Sequence, residues 1–136
     1  MIKLMFVCHG NIFRSPMAEF VMKKLAADAG VQDEFYIESC ATSTEEIWNG
    51  VGNHIYPPAQ LKRSDYDKYD YLIAMDSNNV RNIMRIIGTD AEGKAHLLMD
   101  FTGRGGSVAD PWYTGGFDTA YSDIEDGCKA LLEELA

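Results

Sequence analysis

The chain has 136 residues, of which 46% are hydrophobic and 24% are charged, and its formal net charge is -9. A chain of this length can build one core that needs no disulfide or metal, so we expect a single domain over residues 1–136. The acidic balance argues against nucleic acid and anionic membranes as partners, since both are polyanions. An anionic ligand would therefore have to be bound by a local group of donors.

The segment before Cys8 is too short for the apolar core of a signal peptide, and no apolar run approaches the roughly 20 residues that span a bilayer. We therefore expect a cytoplasmic protein. The three cysteines, Cys8, Cys40 and Cys128, are widely and irregularly spaced, which favours reduced thiols over a disulfide framework or a zinc site. The sequence predicts neither a metal nor a cofactor.

The first predicted elements are a buried strand over residues 3–7, a polar loop and a helix. Apolar residues recur at helical spacing over residues 17–29, with Ser15 as the predicted N-cap and Gly30 as the stop. Further along the chain, apolar patterns predict strands over residues 35–40, 69–75 and 95–99 and helices over residues 78–87 and 117–135.

This alternation of strands and helices predicts an α/β fold with three layers, in which a four-stranded parallel sheet carries helices on both faces. In such sheets ligands bind beyond the carboxyl ends of the strands. Cys8 follows the first predicted strand, so the loop after it lies at the expected ligand site.

Residues 8–15 have the composition of an anion-binding loop. The backbone N–H groups of a loop entering a helix can point at one anion, and the helix N-terminus adds partial positive charge. Gly10 and Asn11 tolerate the left-handed backbone that such a curl requires. Arg14 supplies a planar fork of donors for two phosphate oxygens. The same groups would stabilise Cys8 as a nucleophilic thiolate, to which Ser15 can donate a hydrogen bond.

The segment C-H-G-N-I-F-R-S-P, residues 8–16, resembles the signature of the low-molecular-weight protein tyrosine phosphatases: a cysteine, five residues, an arginine and a serine or threonine near the N-terminus. The likeness continues in residues 39–43 (SCATS), 74–79 (AMDSNN) and 110–113 (DPWY). It implies that loop support comes from Asn11, Ser15 and Ser39. It implies phosphate binding by His9, Gly10, Asn11, Ile12, Phe13, Arg14 and Ser15.

Asp110 is the candidate general acid. Expelling a phenolate, whose parent phenol has a pKa of about 10, is slow unless a positioned acid supplies a proton. The DPWY segment places a rigid proline and two aromatic residues beside this carboxyl, and the resemblance gives it the same role. On local sequence alone, an Asp-Pro pair is more often a simple turn. The predicted reaction is hydrolysis of aryl phosphate monoesters through a cysteinyl-phosphate intermediate.

Three aromatic residues, Trp48, Trp112 and Tyr113, are predicted to wall a slot that selects aryl phosphates by stacking and depth. For Trp48 ordinary packing is an equally good interpretation. The expected partners are a phosphotyrosine protein, inorganic phosphate or another oxyanion at the loop, and a tyrosine kinase that modifies Tyr113, as in some relatives. The chain is expected to be a monomer or a weak dimer.

Two departures from the family pattern stand out. Phe13 replaces a second cysteine that in many relatives forms a reversible disulfide with the nucleophile. Between Pro58 and Asp65 the sequence lacks a helix and a supporting histidine found in relatives, so the second crossover is predicted to be shortened. His54 is a weak candidate substitute for that histidine.

Two other functions share the loop. A phosphate-binding pseudophosphatase module would keep Arg14 but lose turnover, although binding alone requires neither Cys8 nor Asp110. A thioredoxin-coupled arsenate reductase needs two further cysteines in a mobile segment, for which Cys40 and Cys128 are poorly suited.

Overall fold

The computed structural model describes residues 1–9, 14–42, 60–109 and 117–136. Four parallel strands form one sheet in the order β2-β1-β3-β4. The strands are β1 (Ile2–Cys8), β2 (Phe35–Ala41), β3 (Tyr71–Ala74) and β4 (Ala95–Leu97). The predicted parallel sheet is thus confirmed. Because β1 lies between β2 and β3, its carboxyl end marks the point where the chain changes its direction of winding, which is where such sheets bind ligands.

Within the described residues, four α-helices accompany the sheet: α1 (Arg14–Asp28), α2 (Asp65–Lys68), α3 (Ser77–Ile87) and α4 (Phe117–Leu135). The helix predicted over residues 117–135 is confirmed at both ends. The prediction of Ser15 as N-cap is wrong, because α1 already begins at Arg14 and Ser15 is therefore a residue of the helix. No helix among those described is long and apolar enough to cross a bilayer.

Alternate side chains of β1 belong to two different cores. Leu4, Phe6 and Cys8 pack with the buried faces of α1 and α4, whereas Met5 and Val7 pack with α3 and the residues around β3. This alternation is what a strand with both faces covered requires, since successive side chains point to opposite sides of the sheet. The predicted three layers, with helices on both faces, are therefore confirmed.

The crossover from β2 to β3 is described from Gln60 onward. Gln60 forms a parallel bridge with Ala41 at the end of β2, and the amide of Leu61 donates to the Ala41 carbonyl at 2.7 Å. Leu61 is 2% exposed and belongs to the α3-side core, after which α2 makes one turn. The described part of the crossover thus starts at the carboxyl end of β2 and runs through α2 to the first residue of β3, Tyr71. Pro58 and His54 lie outside the described residues.

Candidate active site

Cys8 is the last residue of β1 and is held in the middle of the sheet. It pairs with Ala41 in the register of β1 and β2, and its carbonyl accepts a 3.0 Å hydrogen bond from the amide of Thr42. Its side chain is on the α1 side and the residue is 5% exposed. The sulfur therefore sits at the carboxyl edge of the sheet, in a position fixed by the strand ladder.

Ser15 brings a hydroxyl to this sulfur. The Oγ of Ser15 lies 3.0 Å from Cys8 Sγ and 3.5 Å from the carbonyl oxygen of Cys40, and Ser15 is fully buried. A thiolate can only accept a hydrogen bond, so the hydroxyl donates to the sulfur whenever Cys8 is ionised. Burial excludes water as a competing partner, which strengthens the contact.

Arg14, the first residue of α1, is 8% exposed, and its guanidinium contacts both Asp76 and Val108. Its Nη2 donates to Oδ2 of Asp76 at 2.9 Å, and its Nη1 donates to the carbonyl oxygen of Val108 at 3.2 Å. Two bonds from different nitrogens of a planar group fix the plane of that group. The guanidinium is thus set in one orientation at the end of the sheet where Cys8 lies.

Asp76 has a second function at the start of α3. Its Oδ1 accepts from the amide of Asn79 at 2.8 Å, which makes it the N-cap, while its Oδ2 binds Arg14. Asn79 is 2% exposed, and its own Oδ1 accepts from the amide of Met75 at 3.2 Å. Sequence reasoning missed both Asp76 and Asn79 as site residues. The D-S-N-N run after a buried strand does signal an N-cap, but its contact with Arg14 depends on the fold.

The segment that leads to Asp110 reaches the same edge of the sheet. The amide of Val108 donates to the carbonyl of Met75 at 2.9 Å, and the amide of Ala109 donates to Oδ2 of Asp123 at 3.0 Å. Val108 is 2% exposed and its carbonyl is the acceptor for Arg14. Val108, two residues before Asp110 in the sequence, therefore lies directly beside Arg14.

Among the predicted site residues, the structure brings Cys8, Arg14 and Ser15 to one edge of the sheet, and partly exposed His9 follows Cys8 there. Ser39 donates to Oε1 of Glu19 in α1 at 2.6 Å. The remaining predicted site residues lie outside the described residues: Gly10, Asn11, Ile12, Phe13, Trp48, Asp110, Trp112 and Tyr113.

The other two thiols are buried packing groups. Desolvation raises the pKa of both Cys40 and Cys128 strongly, so both remain protonated. Cys40 is on the α3 side of the sheet, opposite to Cys8, and the Cys128 thiol donates to the carbonyl of Ala18 at 3.6 Å. In the part of the chain that the structure describes, no three His, Cys, Asp or Glu residues are grouped as metal ligands.

A parallel sheet whose first strand delivers a buried cysteine to the start of an arginine-bearing helix is typical of the cysteine-dependent phosphatases. The family model described as low molecular weight phosphotyrosine protein phosphatase matches residues 3–136. The chain belongs to that family, and it is an enzyme of the class that the family defines.

Individual relatives are similar over most of their length. A low molecular weight phosphotyrosine protein phosphatase of Schizosaccharomyces pombe is 36% identical, with 99% of this chain and 97% of that protein covered. The crystal structure of YfkJ from Bacillus subtilis superposes with a TM-score of 0.85 at 32% identity and covers 99% of this chain and 94% of that one. The crystal structure of SP-PTP, a low molecular weight protein tyrosine phosphatase from Streptococcus pyogenes, gives a TM-score of 0.79 at 36% identity and covers 100% of this chain and 94% of that one.

The alignment with the S. pombe relative runs over 152 positions, more than the 136 residues of this chain. The relative therefore carries residues that have no counterpart here. This excess agrees with a chain that is shorter than its relatives, and the location of the shortening between Pro58 and Asp65 stays a prediction.

Proposed function

We propose that this protein hydrolyses phosphotyrosine in protein substrates through a cysteinyl-phosphate intermediate. The observation that carries the proposal is the 3.0 Å contact between Cys8 Sγ and Ser15 Oγ beside an arginine whose orientation is fixed by Asp76. A pure binding site has no need of a buried thiol with a hydroxyl donor. The names of the similar proteins from S. pombe and S. pyogenes support the choice of phosphotyrosine.

In the first step the Cys8 thiolate attacks phosphorus. The S–P bond forms as the bond between phosphorus and the tyrosyl oxygen breaks, and Asp110 transfers its proton to the leaving phenolate. Arg14 binds two of the equatorial oxygens, and the backbone amides of residues 9–15 bind the phosphoryl group. Charge that spreads over these oxygens in the transition state is thus met by donors already in place.

In the second step water attacks the cysteinyl phosphate. Asp110, now ionised, takes a proton from the water as the O–P bond forms and the S–P bond breaks. Ser15 donates to the departing thiolate, which lowers the energy of the leaving group. Inorganic phosphate leaves, and Cys8 and protonated Asp110 are restored to their starting states.

Other predicted residues have supporting roles in this proposal. Asn11 and Ser39 hold the loop, and Trp48, Trp112 and Tyr113 wall a slot deep enough for an aryl phosphate. The protein acts in the cytoplasm as a monomer or weak dimer, and a tyrosine kinase modifies Tyr113. Phosphotyrosine proteins are its substrates.

Turnover of p-nitrophenyl phosphate in the presence of EDTA tests the proposal. We expect the wild type to turn over, Cys8→Ser to be inactive, and Asp110→Asn to be slowed about a hundredfold or more, as for loss of a general acid. Lys129→Ala on the exposed face of α4 is a control that should match the wild type. Phosphate binding without turnover would instead indicate a pseudophosphatase module, and arsenate-dependent oxidation of thioredoxin would indicate a reductase. Either result overturns the proposal.

A further inference from the structure

We propose that Asp123 of α4 is a positioning residue for Asp110, because its carboxylate fixes the segment from which the candidate acid departs. This inference rests on the proposed role of Asp110 as general acid. Asp123 lies in the second turn of α4, beyond the positions where a carboxylate caps a helix. Its contacts therefore call for an explanation other than capping.

The two oxygens of Asp123 bind the two ends of one short segment. Oδ2 accepts from the amide of Ala109 at 3.0 Å, and Oδ1 accepts from Nη2 of Arg104 at 3.3 Å. The Asp123 side chain is 18% exposed, whereas that of Arg104 is 54% exposed. The bond to the amide is the better shielded of the two, so we expect it to be the stronger.

Three successive backbone groups are fixed immediately before Asp110. The Val108 amide donates to Met75, the Val108 carbonyl accepts from Arg14, and the Ala109 amide donates to Asp123. The first two contacts hold the peptide plane between Val108 and Ala109 only at its carbonyl oxygen, on one edge of the plane. The third contact fixes its other edge, and the next residue in the chain is Asp110.

The same dipeptide thus connects the phosphate clamp to the start of the acid loop. Arg14 holds Val108 from the sheet side, and Asp123 holds Ala109 from the α4 side. Catalytic groups lose efficiency steeply when displaced, with a shift of about 1 Å costing up to a hundredfold in rate. Loss of the Asp123 contact should therefore act on proton transfer to the leaving group and leave phosphate binding intact.

The experiment compares kcat/KM for phenyl phosphate, whose leaving group needs a proton, and 2,4-dinitrophenyl phosphate, whose leaving group does not. We expect Asp123→Ala to lower the phenyl phosphate value about tenfold and the dinitrophenyl value by less than about twofold. Inhibition by inorganic phosphate should be unchanged. Asp126→Ala is the matched control, since Asp126 is on the same helix, is 51% exposed, and lies 3.9 Å from Arg104.

Asp123→Asn provides a second variant of the same shape. An amide accepts at one oxygen only, so it can satisfy Ala109 or Arg104 but not both. We expect a smaller loss with the same dependence on the leaving group. Circular dichroism shows which Asp123 variants fold. The inference is overturned if a folded variant loses kcat/KM equally on both substrates, or if its values equal those of Asp126→Ala.

Asp110→Asn separates this inference from the proposed function. If that variant is selectively slow on phenyl phosphate while the Asp123 variants are not, the positioning role alone is wrong. If Asp110→Asn itself shows no dependence on the leaving group, Asp110 is not the acid and the proposed mechanism fails first.

Discussion

Arg14 and Asp76 are 62 residues apart in the chain, and their side chains form a 2.9 Å ion pair at the carboxyl edge of the sheet. The pair joins the first helical residue of α1 to the N-cap of α3, so the orientation of the arginine depends on how two helices are seated. Arg14 is almost fully buried and Asp76 is partly buried, which makes the pair less sensitive to salt than a surface pair.

Asp76→Asn should weaken oxyanion binding without unfolding the protein. Asparagine is as good an N-cap as aspartate, so α3 keeps its cap, while the guanidinium loses its charged partner. We expect the inhibition constant for inorganic phosphate to rise about tenfold and the thermal midpoint to change little. Asp118→Asn in the first turn of α4 is the matched control, because it removes an exposed first-turn carboxylate of another helix. Phosphate inhibition equal to that of the wild type would contradict this role of Asp76.

Ser15→Ala should slow alkylation of Cys8 by iodoacetate at neutral pH. The substitution removes a buried hydroxyl 3.0 Å from the sulfur, and a hydrogen bond to a charged group contributes about 1.5–3 kcal/mol. We expect a rate at pH 7 that is roughly tenfold lower, or more. Ser64→Ala is the control, since Ser64 is exposed and makes no side-chain cap bond. An unchanged alkylation rate in Ser15→Ala would show that the hydroxyl does not serve the thiolate.

Protein stability should fall at alkaline pH because of Cys40 and Cys128. Desolvation raises the pKa of each thiol in the folded state well above its ordinary value of about 8.5. Their contribution is therefore complete below pH 8.5 and decreases as pH rises, because only the unfolded chain ionises. Two such thiols give a loss of about 2 kcal/mol between pH 8.5 and 9.5. Urea unfolding under reducing conditions measures the free energy of unfolding of the wild type and of the Cys40→Ala/Cys128→Ala variant at each pH. We expect this free energy to fall less with rising pH in the variant.

Gly127→Ala should destabilise the protein although alanine is the better helix former. A Cβ built at Gly127 would lie 2.5 Å from Cγ of Leu98, which is fully buried. Alanine gains about 1 kcal/mol in helix propensity, whereas overpacking costs typically 1–3 kcal/mol, so we expect a net loss near 1 kcal/mol. Ser122→Ala on the exposed side of α4 should be neutral. In a Leu98→Ala background Gly127→Ala should become stabilising. Denaturant titration of the wild type, the two single variants and the double variant measures this reversal.

Much of the fold follows from local patterns. The burial of β1 appears in the sequence as a nearly continuous apolar run, and the long apolar face of α4 appears as helical periodicity. The strand extends one residue beyond each end of the predicted range 3–7, and the helix has the predicted bounds. The predicted strand over residues 95–99 is shorter, because Leu98–Thr102 forms a 3-10 helix in which the Thr102 hydroxyl binds the carbonyl of Met99. A short apolar run does not distinguish these two outcomes.

The predictable part of the candidate site is the part that is contiguous in sequence. Cys8, Arg14 and Ser15 are close in the chain, and their residue types alone indicate anion binding and nucleophilic chemistry. The other contacts join residues that are distant in the chain. Arg14 binds Asp76, 62 residues away, and Val108, 94 residues away. Asp123 binds Ala109, 14 residues away. Such contacts depend on strand order and helix placement, which local composition does not encode.

Chemical trapping of the intermediate tests the central claim most directly. The enzyme would be mixed with p-nitrophenyl phosphate, quenched within milliseconds, digested, and analysed by mass spectrometry for the peptide that carries Cys8. We predict one phosphoryl group on that sulfur in the wild type and none in Cys8→Ser. A phosphoryl group on a different residue, or turnover that continues in Cys8→Ser, would contradict the account.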